Sequence, residues 1–214
     1  MTSSPPQTHR PRATAARAEW AVSGLRVVAD VSVVDTEVKR RAGVGVTGGL
    51  RHLDTLRFLL TLPPDEAIPV AQFSSYERQL AGRAARALFG IETHTKGTGR
   101  LFTRNAQPPL HVNLVSVHGP ATRRTLRLAT SFAPYAARRI VTTRRVDAEF
   151  AIEAQYYGVG ITALDIDGAH LTASPAPFLP SRFTGASWLF AEHAYDHLAG
   201  DRRALSAAPA IARA

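Results

Sequence analysis

After Pro108-Pro109 the chain alternates short strand-like runs with helix-like runs, and this alternation limits the possible folds more than any other feature. The pattern predicts a strand over 110–117 and, past Gly119-Pro120, a helix over 121–132. A strand over 139–143, a helix over 146–157 and a strand over 159–164 follow, and Asp167-Gly168 leads into a strand over 169–173. Strands alternating with helices at this spacing call for an α/β fold, with a parallel or mixed sheet covered by helices. Thr184 is placed to cap a last helix over 185–198, whose Trp188, Leu189, Tyr195 and Leu198 would dock it on the body.

The first half reads differently. Residues 25–38 are β-branched and predict one or two strands, after which Gly43, Gly45, Gly48 and Gly49 break regularity. A helix over 50–62 ends at Pro63-Pro64, and a short helix opens near Pro69. The next helix, 75–89, sets Leu80, Ala84 and Leu88 on one line and Gln79, Arg83 and Arg86 opposite, until Gly90 stops it. Residues 91–104 then read as two strands around Gly97-Thr98-Gly99, with basic tips.

Helix, short helix, amphipathic helix and basic hairpin, in that order over about 50–104, resemble a winged helix-turn-helix. The resemblance implies DNA binding, with the third helix in the major groove and the hairpin on the backbone. It would put Arg78, Arg83, Arg86, Lys96 and Arg100 at DNA. A helical packing unit with solvated arginines fits the same text.

Charge points the same way. Between Thr93 and Val146 there is no Asp or Glu, but there are ten Lys and Arg residues, while the whole chain carries only +9. A localised excess of one sign attracts a polyanion, and DNA is the expected partner. Arg104, Arg123 and Arg124 join Lys96 and Arg100 as candidate phosphate contacts. Residues 147–201 hold eight acids against Arg182 alone, so internal pairing, for example of Arg144 and Arg145 with Asp147 and Glu149, is the competing reading. A basic surface could also serve an assembly subunit, meeting an acidic protein partner or forming a homo-oligomer.

Three segments carry a second resemblance: Tyr135-Ala136-Ala137-Arg138-Arg139-Ile140-Val141, then Glu153-Ala154-Gln155-Tyr156-Tyr157-Gly158-Val159-Gly160-Ile161, then Pro175-Ala176-Pro177-Phe178. Over about 110–178 they look like the distal half of restriction-endonuclease-like proteins, the PD-(D/E)xK superfamily. That family holds Mg²⁺ with an Asp and a Glu-x-Lys on neighbouring strands, where the cation neutralises charge developing on the phosphodiester. By element order the Glu-x-Lys should fall at Ser116-Val117-His118, where no carboxylate stands. The resemblance therefore implies a DNA-binding relative without the metal site, a non-catalytic protein needing no cofactor. The alternative is a Mg²⁺-dependent endonuclease whose core begins at Leu25, with Asp30, Glu37 and Lys39 as metal-binding and water-activating residues. Glu-x-Lys is a common tripeptide, and a solvated strand end explains those charges equally well.

Other chemistries lack anchors. There is no phosphate-loop motif, no Gly-x-Ser-x-Gly elbow and no cysteine, and Gly158-Val159-Gly160 precedes a strand rather than a helix. His193 and His197 stand at i and i+4 but without the Glu that a zinc-protease helix needs. No apolar run reaches membrane-span length and no secretory signal is visible, so a soluble, cytoplasmic protein without a membrane partner is expected. The expected organisation is a disordered tail over 1–18, a winged-helix-like region over 19–107, a restriction-endonuclease-like domain over 108–199 and a second tail over 200–214.

Overall fold

A computed structural model describes residues 14–46, 48–95, 99–165, 168–179 and 182–207, the last seven by backbone alone. Its class is mixed α/β. Strands β1 (Thr14–Val22) and β2 (Leu25–Val33) form a hairpin whose turn residues, Ser23 and Gly24, both have positive φ, at 51° and 77°. That left-handed pair matches the strand twist, as in the tightest hairpins. Helix α1 (Asp35–Gly43) follows, then α2 (Leu53–Thr61), β3 (Ala67–Pro69), one 3₁₀ turn (Val70–Gln72), α3 (Ser75–Arg86), β4 (Gly90–Thr95) and β5 (Gly99–Arg104). The chain continues through β6 (Leu110–His118), α4 (Arg123–Ser131), β7 (Ala137–Thr142), α5 (Ala148–Tyr156), β8 (Val159–Asp165), β9 (Gly168–Ala173) and α6 (Gly185–Ala207).

Two sheets result. The larger has the order β1-β2-β6-β7-β8-β9, antiparallel except for the central parallel pairs β6–β7 and β7–β8. Helices α4 and α5 make the two crossovers. One face of this sheet supplies Ala18, Trp20, Val27, Val115, Val117, Ile140, Val159 and Ile161 to a core closed by Leu126, Ala129, Phe150, Ala154, Ala194 and Leu198. The strand period of two sends Arg17, Glu19, Arg26, Asp30, Ser116, His118 and Arg139 to the opposite face, where they line an open concavity.

The smaller sheet, β3-β5-β4, is antiparallel and packs with α2 and α3 around a second core. Phe58, Phe73 and Phe102 meet there with ring centroids 5.3–6.2 Å apart. Gly90 makes this possible: a Cβ at that position would lie 2.2 Å from the Phe102 ring. Helix α6 serves both cores, giving Trp188 to the second and Ala191, Ala194 and Leu198 to the first. No helix among the described residues is long and apolar enough to cross a membrane.

Three expectations change. The predicted strand over 25–38 stops at Val33, because Asp35 and Glu37 in the first turn and Arg40 and Arg41 in the last suit a helix dipole and an i, i+4 pair. The tail expected over 1–18 gives way to β1 from Thr14, and the tail expected from 200 gives way to α6 as far as Ala207; residues 1–13 and 208–214 lie outside the described residues. Finally, β2 pairs with β6, so residues 14–33 join the sheet of residues 110–173 instead of the region over 19–107.

Candidate nucleic-acid interface

Helix α3 is held by a complete capping box: Ser74 Oγ accepts from the Glu77 N–H at 3.2 Å and Glu77 Oε2 accepts from the Ser74 N–H at 2.8 Å. Leu80, Ala81 and Ala84 are its buried side. At 100° per residue the remaining arc carries Arg78, Gly82, Arg86, Gln79, Arg83 and Tyr76 in angular order, spread over roughly 160°. All three arginines are exposed, and among the described residues none makes an ion pair. The Arg86 Nη1 lies 3.5 Å from where a Gly82 Cβ would sit, so the guanidinium folds along the bare helix backbone. Tyr76 closes the arc by donating its hydroxyl to Asp54 at 3.1 Å.

The hairpin contributes less than its sequence promised. Arg100 pairs with Glu92 on the neighbouring strand, while Lys96 lies outside the described residues. Arg104 is a correction: it turns inward, donating to the carbonyls of Leu59, Leu62 and Ala106 at 3.0, 3.1 and 3.0 Å. Its guanidinium also lies 5.1 Å from the Trp188 ring centroid, and burial holds its pKa below the ordinary arginine value. It caps the end of α2, where free carbonyls and the negative dipole end favour a cation. Its Nε and Nη1 donors are engaged there rather than on phosphate.

The other arginines of the acid-free stretch sit on the larger sheet and its helices. Arg123, Arg124 and Arg127 project from α4; Arg124 donates to the Ser23 carbonyl at 2.6 Å, and Arg123 is 3.9 Å from Glu153. Arg144 and Arg145 are exposed and unpaired among the described residues, and Asp147 instead accepts from the Phe150 N–H at 2.7 Å to cap α5. Arg138 is half-buried and touches the Gly158 carbonyl at 3.5 Å. The cationic residues thus divide between α3, packed on the second core, and α4 with its neighbours on the larger sheet.

The residues expected to hold Mg²⁺ are not brought together. Asp30 lies on β2, bonded to Arg17 at 2.7 Å and approached by Arg139 at 3.7 Å. Glu37 lies on α1 and is 1% exposed, with Arg40 and Arg41 both on its carboxylate at 2.7 Å; Lys39 points to solvent. Among the described residues no three His, Asp or Glu side chains are grouped to hold a metal ion. Ser116, at the position where the family resemblance wants Glu, is buried beside Asp30's strand and accepts from Arg139 Nε at 3.0 Å.

Sequence reading missed two groupings. The alternation of Arg17-Ala18-Glu19-Trp20 and of Arg26, Val28 and Asp30 could have shown charges sharing one sheet face. Nothing local announces the pairing of Arg41 with Glu192, 151 residues away. No family model, curated protein or solved structure matches this chain.

Proposed function

We propose that the protein binds duplex DNA through α3, with the β4–β5 hairpin against the phosphate backbone. The observation that carries this reading is the α3 arc: three exposed arginines without carboxylate partners among the described residues, on a helix fixed by a capping box and a packed apolar side. The order α2, β3, 3₁₀ turn, α3, β4, β5, with sheet order β3-β5-β4, supports the winged-helix resemblance. Arg83 and Arg86 are the candidates for guanine edges, where a guanidinium can fork onto O6 and N7. Arg78 is the candidate for phosphates, which set register without reading sequence, and Arg100 would join it only by giving up its Glu92 partner.

The larger sheet joins three antiparallel strands to a parallel one through α4, which supports reading it as a restriction-endonuclease-like scaffold. Within this proposal it is non-catalytic: Glu37 is committed to two arginines, and the Ser116-Val117-His118 position lacks the acid. Fluorescence anisotropy on a labelled duplex tests the proposal. Binding at low salt should weaken steeply with added salt, and Arg83→Ala/Arg86→Ala should weaken it at least tenfold with unchanged circular dichroism. Binding that is absent at low salt, or indifferent to both arginines, overturns the reading.

A further inference from the structure

The polar face of the six-stranded sheet is built unlike an ordinary solvated surface. Its floor is closed: Ser116 is 1% exposed, and Val28 and Val141 are also buried, although they point away from the helix-covered side. Around them stand Arg17 and Glu19 from β1, Arg26 and Asp30 from β2, His118 from β6 and Arg139 from β7, with Thr162, Leu164 and Ala169 from β8 and β9 completing the rim. The concavity is open to solvent and holds about 500 Å³, within the range of small-molecule sites.

The charges there do not balance. Arg26 forks onto Glu19, and Arg17 takes Asp30 at 2.7 Å. Arg139 is left with the neutral Ser116 hydroxyl and a 3.7 Å approach to the already engaged Asp30. Its two terminal nitrogens make no hydrogen bond among the described residues, and the half-buried side chain lines the concavity. Open guanidinium donors beside a net positive charge give an anion a charge-assisted partner there without displacing an existing hydrogen bond. His118 sits in the same concavity, its pKa held below the ordinary value first by burial and then by Arg26, with Arg139 and Arg17 acting the same way and Glu19 opposing them.

We propose that this concavity binds a small ligand bearing a phosphoryl group, with Arg139 and His118 on the phosphoryl oxygens and the rest of the ligand over Val28, Val141 and Leu164. A phosphoryl group fits better than a carboxylate. It brings a charge of about −1.5 to −2 and three acceptor oxygens, enough for the terminal nitrogens of Arg139 and an imidazole that gains a proton on binding. The apolar floor suits a flat group such as a nucleoside. This site is separate from the α3 arc and does not rest on the DNA reading.

The test follows the His118 ring protons by NMR during pH titration of the full chain, with inorganic phosphate or AMP as probe, alongside calorimetry. Both probes should bind saturably and raise the His118 midpoint, because an anion favours the imidazolium. AMP should bind more tightly than phosphate. Arg139→Ala should weaken binding at least tenfold, and Arg83→Ala should leave it unchanged. If Arg139→Ala does not fold, Arg139→Lys replaces it and should weaken binding severalfold by losing the planar fork while keeping the charge. An unmoved His118 midpoint, or binding indifferent to the Arg139 variants, overturns the proposal. Displacement of AMP by duplex DNA in the Arg83→Ala/Arg86→Ala protein would assign the phosphoryl group to a DNA backbone and overturn the small-ligand assignment.

Discussion

At the residue scale, burial and pairing decide what each charged side chain can do. Arg83 and Arg104 read alike in sequence, but one is exposed on α3 while the other turns Nε and Nη1 onto three carbonyls. His193 shows how burial sets a titration. Its ring lies edge-on to Trp20 at 5.3 Å and to His197 at 4.7 Å. Burial first, then His197 and Arg51, hold its pKa below the ordinary 6.5, with Asp196 opposing. The unfolded chain therefore binds the proton more readily than the folded one. Folded stability is then fully present above about pH 6.5 and is lost as pH falls through the depressed folded midpoint. His118 acts with the same sign. Scanning calorimetry should show the melting temperature falling between pH 7.5 and 5.5, and His193→Gln should flatten part of that slope.

At the element scale, legibility followed the strength of local signals. Strands β6 to β9 and helices α4 and α5 were readable because Gly, Pro and capping residues bound each run, and Thr122 and Asp147 do cap α4 and α5. Strand β1 was not readable. Its Thr-Ala-Ala-Arg-Ala-Glu opening has little β-branched character, and pairing with β2 together with cover from α6 makes it a strand. Helix α1 was missed for a related reason: its stripe is made of charged residues that become interior only through partners on α6. Helix α3 was visible in advance, and its cap can be tested. Ser74→Ala removes the acceptor for the Glu77 N–H and should cost about 1 kcal/mol, read by urea denaturation. Because the arginines remain in place, DNA affinity should change far less than in Arg83→Ala/Arg86→Ala.

At the scale of the whole molecule, two apolar cores share one helix and one buried ion network. Arg41 donates to Glu192 through both terminal nitrogens at 2.7 Å and to Glu37 through Nε at 2.7 Å, and Trp188 Nε1 donates to Glu192 at 2.7 Å. The guanidinium lies 4.7 Å from the Phe89 ring centroid and 5.1 Å from that of Tyr195, which touch different cores. Burial alone would push the Arg41 pKa down, but Glu192 and Glu37 more than reverse it, so the cation is firmly held. Residues on α1 and α6 are thereby locked between the two cores, and neither core can open without exposing this charge cluster. The chain has two tryptophans, Trp20 in the first core and Trp188 in the second, so each core carries its own reporter. Urea unfolding followed by Trp188 in Trp20→Phe, and by Trp20 in Trp188→Phe, should give a single transition in each protein, coincident with its own far-ultraviolet circular dichroism. Glu192→Ala leaves the Arg41 cation buried with only Glu37, which Arg40 also holds, and should cost about 3–5 kcal/mol. The loss should appear equally in Trp20 fluorescence and in circular dichroism, since a shared network cannot weaken one core alone. Two separated transitions in the otherwise native chain would show that α6 does not couple the cores.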